Sequence, residues 1–575
     1  MKSLLTALFV FPLVCKVTAD EAAHKPNILF ISVDDLNDWV GCLGGHPQTK
    51  TPNMDRLAAS GVLFTNAYCA GASCNPSRTA IMSGRAPHHS GLYENMQKLR
   101  EVLPGAELMP RYFSRHGYWS AGSGKILHYV IDPPSWDDYF PAKESDNPFP
   151  QTFEPAKRPV NLPRAGQWQY GETDWAALDV TDEQYGGDWL VTKWIGDQLQ
   201  RSHAKPFFLA CGIYRPHEPW FVPKKYFEPF PLEGIQPGPG YKAGDVDDLP
   251  PAGQKLARNR YFEHIQNHNQ WQKGIQAYLA SIHYADAMLG RVLDALERSP
   301  ERDNTIVVMW SDHGWHLGEK EHWQKYTGWR ACARVPLIIR VPRGAPGLPE
   351  GTTAGSVCTR PVNLVDLYPT LTRLCGLPDL PDISGNPLTP LLRDPSAAWR
   401  FPSITHLNHP ESFSLSTERW RYIHYQGGDE ELYDIQTDPH EWTNLAPKPE
   451  HATQLAVMRE MIPKNMAPVH ESEPGISTFK AEVQLTFVPA ADGKAQPSEP
   501  SSDKTSVLIY NSRQTPVSIV SVDAAGVRHT ERTLAGASRG LLHTFAGQTL
   551  WIVDESGKDL GHVVVGKVPA GLRIE

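Results

Sequence analysis

Cys74-Asn75-Pro76-Ser77-Arg78, running on through Thr79 to Ser83-Gly84-Arg85, places a thiol where a helix should begin. Pro76 suits a first turn, because its ring presets the backbone and it has no N–H to leave unpaired there. A helix N-terminus attracts anions, and Arg78 one turn along adds a planar charged fork suited to a tetrahedral oxyanion. The stretch therefore reads as a nucleophile beside an anion cradle. A lone Cys is more commonly a small buried hydrophobe, so the reading depends on what the rest of the chain supplies.

It supplies two acidic groups in matching positions. Asp34-Asp35 closes the apolar run from Asn27 to Val33, and Asp312-His313-Gly314 closes the run from Thr305 to Trp310. Continuous apolar runs of this length are predicted strands buried on both faces. Open α/β sheets place ligands at the carboxyl ends of such strands. Two of them side by side would converge Asp34, Asp35, Asp312 and His313 on one cation. Three carboxylates make that cation hard, favouring calcium over zinc, although imidazole is an uncommon ligand for calcium.

Further polar groups recur at the same topological place. Lys125 and His128 follow the predicted strand Tyr118 to Ala121 and the glycines Gly122 and Gly124. His217 lies in Arg215-Pro216-His217-Glu218-Pro219, after the apolar Phe207 to Ala210, where the prolines enforce an extended path. Lys325 lies in the loop after His313, before the predicted strand Val335 to Ile339. Each alone would pass for an ordinary surface group; together they mark the carboxyl edge of one sheet.

The elements that must position these groups alternate. A helix is predicted from Pro52 to Ala59, another from Leu108 to His116, and a long sheet-covering helix from Trp271 to Arg298, whose apolar residues fall near helical spacing and to which we assign no chemistry. Asn363 to Leu374 reads as a helix. Trp420 to Ile423 and Glu431 to Asp434 read as a hairpin around Gly427-Gly428. The Pro-, Ser- and Gly-rich stretch from Pro489 to Lys504 reads as a linker, and the short strands beyond it as a β-sandwich.

At 575 residues, 40% of them hydrophobic and 21% charged, the chain exceeds a single core and calls for two or three domains. The net charge of -9 argues against general affinity for nucleic acid, while leaving room for a local cationic pocket. Lys2, the apolar run from Leu4 to Val14 and Val17-Thr18-Ala19 read as a cleaved export signal. No other segment approaches the roughly 20 apolar residues of a membrane span. The expected protein is exported, with no membrane partner. Cys42, Cys69, Cys211, Cys332, Cys358 and Cys375 contain no C-x-x-C pair, which counts against a zinc ribbon, and an exported chain could bridge some of them.

The Cys74 stretch resembles the C-x-P-S-R signature of the type I sulfatases, followed by a Gly-Arg pair. From about Lys25 to Ala446 the chain is similar to that family throughout. Within it, Ser32-Val33-Asp34-Asp35-Leu36, Gly124-Lys125 with His128, Pro216-His217, Ser311-Asp312-His313-Gly314-Trp315 and Leu432-Tyr433-Asp434 with Asp438-Pro439 resemble the iduronate-2-sulfatase group. The resemblance implies an alkaline-phosphatase-like α/β/α sandwich with a smaller α+β C-terminal subdomain. With the appended all-β sandwich, the expected boundaries are a signal peptide over 1–19, a catalytic domain over 20–375, the subdomain over 376–475, a linker over 476–505 and the sandwich over 506–575. It implies that Cys74 is oxidised to formylglycine (3-oxoalanine) by a formylglycine-generating enzyme. It further implies that Asp34, Asp35, Asp312, His313 and residue 74 bind one calcium ion, that Arg78 and Lys125 hold the hydrated aldehyde and sulfate, that His128 is the base that helps expel sulfate, and that His217 and Lys325 bind sulfate oxygens and help protonate the leaving alcohol. Ser83 stands where the family often has Thr and keeps the hydroxyl. The implied substrate is a sulfated carbohydrate; the loop from Gly314 to Arg334 departs from the iduronate enzymes and leaves the sugar open. The last 70 or so residues are faintly similar to the β domain of the von Hippel–Lindau tumour suppressor, through Val507 to Asn511, Asp523 with Gly526, Thr533-Leu534 with Gly536, and Gly547 with Leu550-Trp551.

Two other readings compete: a phosphatase or phosphonate monoester hydrolase of the wider alkaline phosphatase fold, and a non-catalytic carbohydrate-binding relative. The intact set Cys74, Arg78, Lys125 and His128 speaks against the second.

Overall fold

Strand β1 (Asn27–Val33) is buried at every position. Since successive side chains of a strand point to opposite faces, each of its faces needs its own cover. Ile28 and Phe30 join one apolar core, while Leu29, Ile31 and Val33 join another. The strand thus sits in the middle of a three-layer body. The computed structural model describes residues 25–163, 173–470, 483–490, 501–513, 515–523, 526–534 and 539–574. The signal expected over 1–19 lies outside the described residues, as do 476–482 and 491–500 of the expected linker.

The central sheet continues with β2 (Val62–Tyr68), β3 (Trp119–Gly124), β4 (Asp138–Phe140), β5 (Phe207–Ile213), β6 (Thr305–Ser311), β7 (Arg334–Arg340), β8 (Ser356–Cys358) and β9 (Val362–Asn363). Its order is β8-β2-β7-β6-β1-β5-β3-β4, with β9 also paired to β2. All pairings are parallel except those of β7, which runs antiparallel to both neighbours. Helices α1 (Pro52–Ala58), α2 (Cys74–Ser83), α3 (Met109–Arg115), α4 (Asp188–Leu199), α5 (Trp271–Glu297) and α6 (Leu367–Leu374) divide between the faces. α1, α4 and α5 contribute to the core behind Leu29 and Ile31, whereas α2, α3 and α6 contribute to that behind Phe30. This is the expected α/β/α arrangement.

Two predicted boundaries shift for local reasons. Gly122 to Gly124, expected in a loop, belong to β3. A Cβ on Gly124 would stand 2.0 Å from the Gly212 carbonyl oxygen, so the glycine lets β3 run on beside β5 instead of ending early. The helix expected from Asn363 starts later: the Asn363 side chain accepts from the Val365 N–H and caps a short turn over Leu364–Asp366, ahead of α6.

The second, antiparallel sheet runs in order through β10 (Ser403–His409), β11 (Ser412–Ser416), β12 (Trp420–His424) and β13 (Glu430–Asp434). It is tied to the central body by buried polar contacts. Arg421 donates to Glu441 Oε1 at 2.8 Å, to Ser416 Oγ at 2.5 Å and to the Gly328 carbonyl. The Trp329 indole donates to Glu431 Oε2 at 2.8 Å. Both contacts grip the loop that carries Lys325.

The C-terminal strands form two sheets around Val507, Ile509, Ile519, Leu550, Ile552 and Val563. The strand Arg528–Leu534 went unpredicted because it is an exposed edge with no apolar alternation. Val483–Gln484 and Val488–Pro489, expected within the linker, pair with Ala570–Ile574 and Asp559–Val564 and so belong to these sheets. Among the described residues no helix is long and apolar enough to cross a membrane. Cys42, Cys69, Cys74, Cys211, Cys332, Cys358 and Cys375 are all free thiols, so no disulfide forms among them.

Candidate active site

β1 and β6 lie side by side in parallel register, Val33 opposite Ser311. Their next residues, Asp34 and Asp312, therefore leave the sheet together. Asp35 turns back with φ 56°, in a region an L-residue enters only when its surroundings hold it there. Its backbone N–H donates to Asp312 Oδ1 at 3.1 Å, and its carbonyl accepts from the Tyr278 hydroxyl at 2.8 Å. The same hydroxyl accepts from the Asn37 N–H at 3.0 Å. Helix α5, to which no chemistry was assigned, thus supplies the prop under Asp35. Tyr278→Phe is expected to cost about 1–2 kcal/mol of stability in chemical denaturation, because it leaves a buried N–H and a carbonyl unpaired, and to lower kcat with it.

Cys74 is the first residue of α2 and is fully buried. Around its sulfur stand Lys325 Nζ at 3.1 Å, His313 Nε2 at 3.2 Å, Lys125 Nζ at 3.6 Å and Asp35 Oδ1 at 3.9 Å. Burial pushes the thiol up, but Lys125, Lys325 and His313 together hold it well below its usual range. The site is built to hold negative charge at this position. His128 also hydrogen-bonds Cys74; burial disfavours its charged form and holds it below the usual imidazole value.

Arg78 is tied into the frame of the site. It donates through Nε to Asp312 Oδ2 and through Nη2 to Asp34 Oδ1, each at 2.8 Å, and through Nη1 to the Lys125 carbonyl at 2.6 Å and the Ile126 carbonyl at 3.1 Å. These bonds fix two carboxylates and the backbone of the Lys125 loop. Arg78 is a positioning residue, whereas Lys125 and Lys325 face the sulfur. Lys125 also bonds Asp34 Oδ2 at 2.5 Å, and Lys325 bonds Asp35 Oδ1 at 2.9 Å. Burial alone would raise the Asp34 carboxyl, yet Lys125 and Arg78 hold it below the ordinary carboxylate range.

His217 joins the same cluster. Its Nε2 lies 3.7 Å from Asp35 Oδ2, and its Nδ1 faces the Glu218 carbonyl oxygen at 2.7 Å. Burial opposes its charged form, but Asp35 outweighs that and raises its pKa. The structure therefore brings Asp34, Asp35, Cys74, Arg78, Lys125, His128, His217, Asp312, His313 and Lys325 into one contiguous network.

The donor set fits a cation. Ligand atoms of Asp35, Cys74, Asp312 and His313, all buried, lie within 4.8 Å of one another, and Asp34, Asp35 and His217 make a second, overlapping group. Asp35 Oδ2 is buried without a hydrogen-bond partner. Burial, with Asp34 and Cys74 nearby, lifts Asp312 to about 7 although Arg78 and His313 oppose it. Such crowded, half-satisfied carboxylates are what a hard cation would relieve.

Sequence reasoning missed the supports. Ser77 Oγ donates to the Asp312 carbonyl at 2.6 Å, and Ser32 Oγ to that of Lys125 at 3.0 Å. Glu218 is buried, pushed up to about 8 by that burial, and accepts from Thr173 Oγ1 at 3.0 Å. Its place beside His217 was the available signal. At the rim, Tyr129 and Tyr326 follow His128 and Lys325 directly, with positive φ of 56° and 75°. They stay 38% and 43% exposed, too open to be core, and the Tyr129 ring lies 4.7 Å from Lys125 Nζ.

The Sulfatase family matches residues 26–377, and the family of the N-sulphoglucosamine sulphohydrolase C-terminal region matches residues 318–467. A sulfatase of Formosa agariphila is 35% identical over 484 residues, which is 82% of this chain and 91% of that protein. Iduronate 2-sulfatase of Homo sapiens is 32% identical over 394 residues, 62% of this chain and 70% of that one. Among solved structures, a protein in complex with its substrate D-glucosamine-2-N,6-O-disulfate superposes with a TM-score of 0.59 at 24% identity, covering 78% of this chain and 100% of that one. A phosphonate monoester hydrolase of Agrobacterium radiobacter superposes with a TM-score of 0.60 at 23% identity, covering 76% and 94%. At such identities the two structures bear on the fold alone.

Proposed function

The chain belongs to the sulfatase family, and on that premise we propose that it removes sulfate from a sulfated carbohydrate, using residue 74 as nucleophile after oxidation of the cysteine to formylglycine. The observation that carries this reading is the convergence of Lys125, Lys325 and His313 at 3.1–3.6 Å from the Cys74 sulfur. Two ammonium groups and an imidazole around one reactive atom suit a step in which an anionic group is attacked and held.

In this reading Asp34, Asp35, Asp312, His313 and residue 74 would hold one calcium ion, which when bound supplies positive charge opposite the sulfuryl oxygens. Formylglycine supplies a hydrated aldehyde, with one hydroxyl to attack sulfur and a second through which sulfate is later expelled. The remaining work falls to side chains already in place. Lys125 and Lys325 bind sulfate oxygens and offset their charge. His128, kept neutral by its burial, accepts a proton at the residue 74 hydroxyl. His217, favoured in its charged form by Asp35, donates a proton to the leaving alcohol. Arg78 keeps Asp34 and Asp312 in position throughout. The exposed rings of Tyr129 and Tyr326 offer flat amphipathic faces to the sugar. The expected export signal and the maturation enzyme belong to the same proposal.

Two measurements test it. The intact mass of the peptide containing position 74 should show conversion of thiol to aldehyde. Turnover of a nitrophenyl sulfate should exceed that of nitrophenyl phosphate and of a phosphonate monoester, and the reverse order would favour the phosphonate reading that the shared fold leaves open.

We also assign the residues after 470 to a binding module, faintly like the von Hippel–Lindau β domain. Every proposed site residue lies at or before Lys325, and the strands Val483–Gln484 and Val488–Pro489 belong with the terminal sheets. A chain ending at His470 is expected to keep its rate on a nitrophenyl sulfate while losing about tenfold or more on a sulfated polymer, because tethering raises local substrate concentration without altering the pocket. Equal losses on both substrates would make the sandwich part of the catalytic body.

A further inference from the structure

The loop between His313 and Arg334 borders a second cavity. It has a volume of about 240 Å³ and is lined by Asp38, Trp39, Glu319, Lys320, Arg330 and His440 with their neighbours, none of which belongs to the Cys74 site. Its carboxylates are all engaged. Asp38 pairs with Arg334 at 2.7 Å. Glu441 accepts from Arg421 Nε at 2.8 Å and from the Arg330 backbone N–H at 2.7 Å. Glu319 accepts from the Leu317 N–H at 2.7 Å, and burial pushes it up to about 7, close to neutrality. Lys320 is committed to Asp245 at 3.2 Å and to the Glu441 carbonyl.

The exception is the Arg330 guanidinium. Glu441 binds its backbone, not its side chain, and among the described residues no hydrogen bond or ion pair involves the guanidinium. Burial works against its charged form; Tyr68 and Glu441 nearby favour it and Arg334 and Arg421 oppose it, leaving it below its usual value. A half-buried guanidinium with no side-chain partner has donors left for an anion, and its planar fork matches a sulfate or carboxylate group with two parallel bonds. His440, which also lines the cavity and is kept neutral by burial, can present a ring N–H to the same anion. The space exceeds what one oxyanion needs, so the group can arrive attached to a sugar ring.

We propose that this cavity is a second oxyanion-binding site, centred on Arg330, which takes a sulfate or carboxylate group of an acidic carbohydrate or free sulfate. The sulfatase reading enters only as the source of such anions; the site itself follows from the unpaired guanidinium and the cavity around it.

The test is calorimetric titration of the full-length protein with inorganic sulfate and, separately, with glucuronic acid, alongside Arg330→Gln and His440→Ala. The unmodified chain should show a class of binding, for at least one of the two anions, that weakens tenfold or more in Arg330→Gln and partly in His440→Ala, while both variants hydrolyse a nitrophenyl sulfate within twofold of the parent rate. Tighter binding of sulfate would identify a sulfate group as the occupant, and tighter binding of glucuronic acid a carboxylate. Isotherms for both anions that are unchanged in both variants would overturn the proposal, as would the absence of any Arg330-dependent binding in the parent. If the parent hydrolyses no sulfate ester yet keeps the Arg330-dependent binding, the functional reading fails and this one stands.

Discussion

Cys74→Ala should leave a folded protein whose hydrolysis of a small sulfate ester falls by about 10⁴-fold or more. The substitution removes one sulfur atom from a fully buried position at the start of α2 and leaves Lys125, Lys325 and His313 facing an unreactive methyl group. The volume change is small, and Asp34 and Asp35 still pair with Lys125 and Lys325, so the chain should still fold. Cys74→Ser should fail almost as badly for a different reason. A serine can attack sulfur, but the resulting ester has no second hydroxyl through which to expel sulfate, so it would accumulate. Rates on a nitrophenyl sulfate, with intact mass to detect a trapped adduct in Cys74→Ser, decide the matter. Sustained turnover by either variant at the parent rate would refute the formylglycine mechanism.

Asp312→Ala should remove both bound calcium and activity. Asp312 lies in the cluster with Asp35, Cys74 and His313, and its Oδ2 takes Arg78 Nε at 2.8 Å. Alanine therefore deletes a ligand and leaves Arg78, a fully buried cation, with one carboxylate in place of two. We expect metal content per chain to fall to a small fraction, the rate to drop by more than about 100-fold, and stability to fall by about 3 kcal/mol. Asp312→Asn separates the effects: its amide oxygen still accepts from Arg78, so the fold should recover much of the loss while metal and rate do not. Full calcium occupancy in Asp312→Ala would show that the cation sits elsewhere.

What could be read from the sequence was whatever periodicity and position encode. β1 and β6 were legible because both are apolar throughout and both end in acids, and their adjacency placed Asp34, Asp35, Asp312 and His313 together. The roles of buried polar side chains were not legible, because they depend on which partner lies across the fold. The sequence marked Arg78 as a charged fork but could not show that it donates to Asp34, Asp312 and two carbonyls. Tyr278 lay within a covering helix to which no chemistry was assigned, and Arg421 within a predicted hairpin. Arg528–Leu534 escaped for the opposite reason: an exposed edge strand carries no hydrophobic signal.

If residue 74 is oxidised as proposed, the closed surroundings of Cys74 set a timetable for that maturation. On the proposed formylglycine mechanism, a pocket that admits one sulfate group is still too narrow for another enzyme's active site to close on a fully buried residue 74, so oxidation has to come before Asp312, His313 and Lys325 close around it. Lys325 is made about 250 residues after Cys74, and its loop is gripped by Arg421 and Glu431, made later still. At roughly 5–20 residues per second, that leaves an interval of roughly 10–50 s after Cys74 emerges. Conditions that hasten compaction relative to oxidation should therefore yield a stable, well-folded and permanently inactive population, whose fraction is set by a competition between two rates and cannot be rescued afterwards.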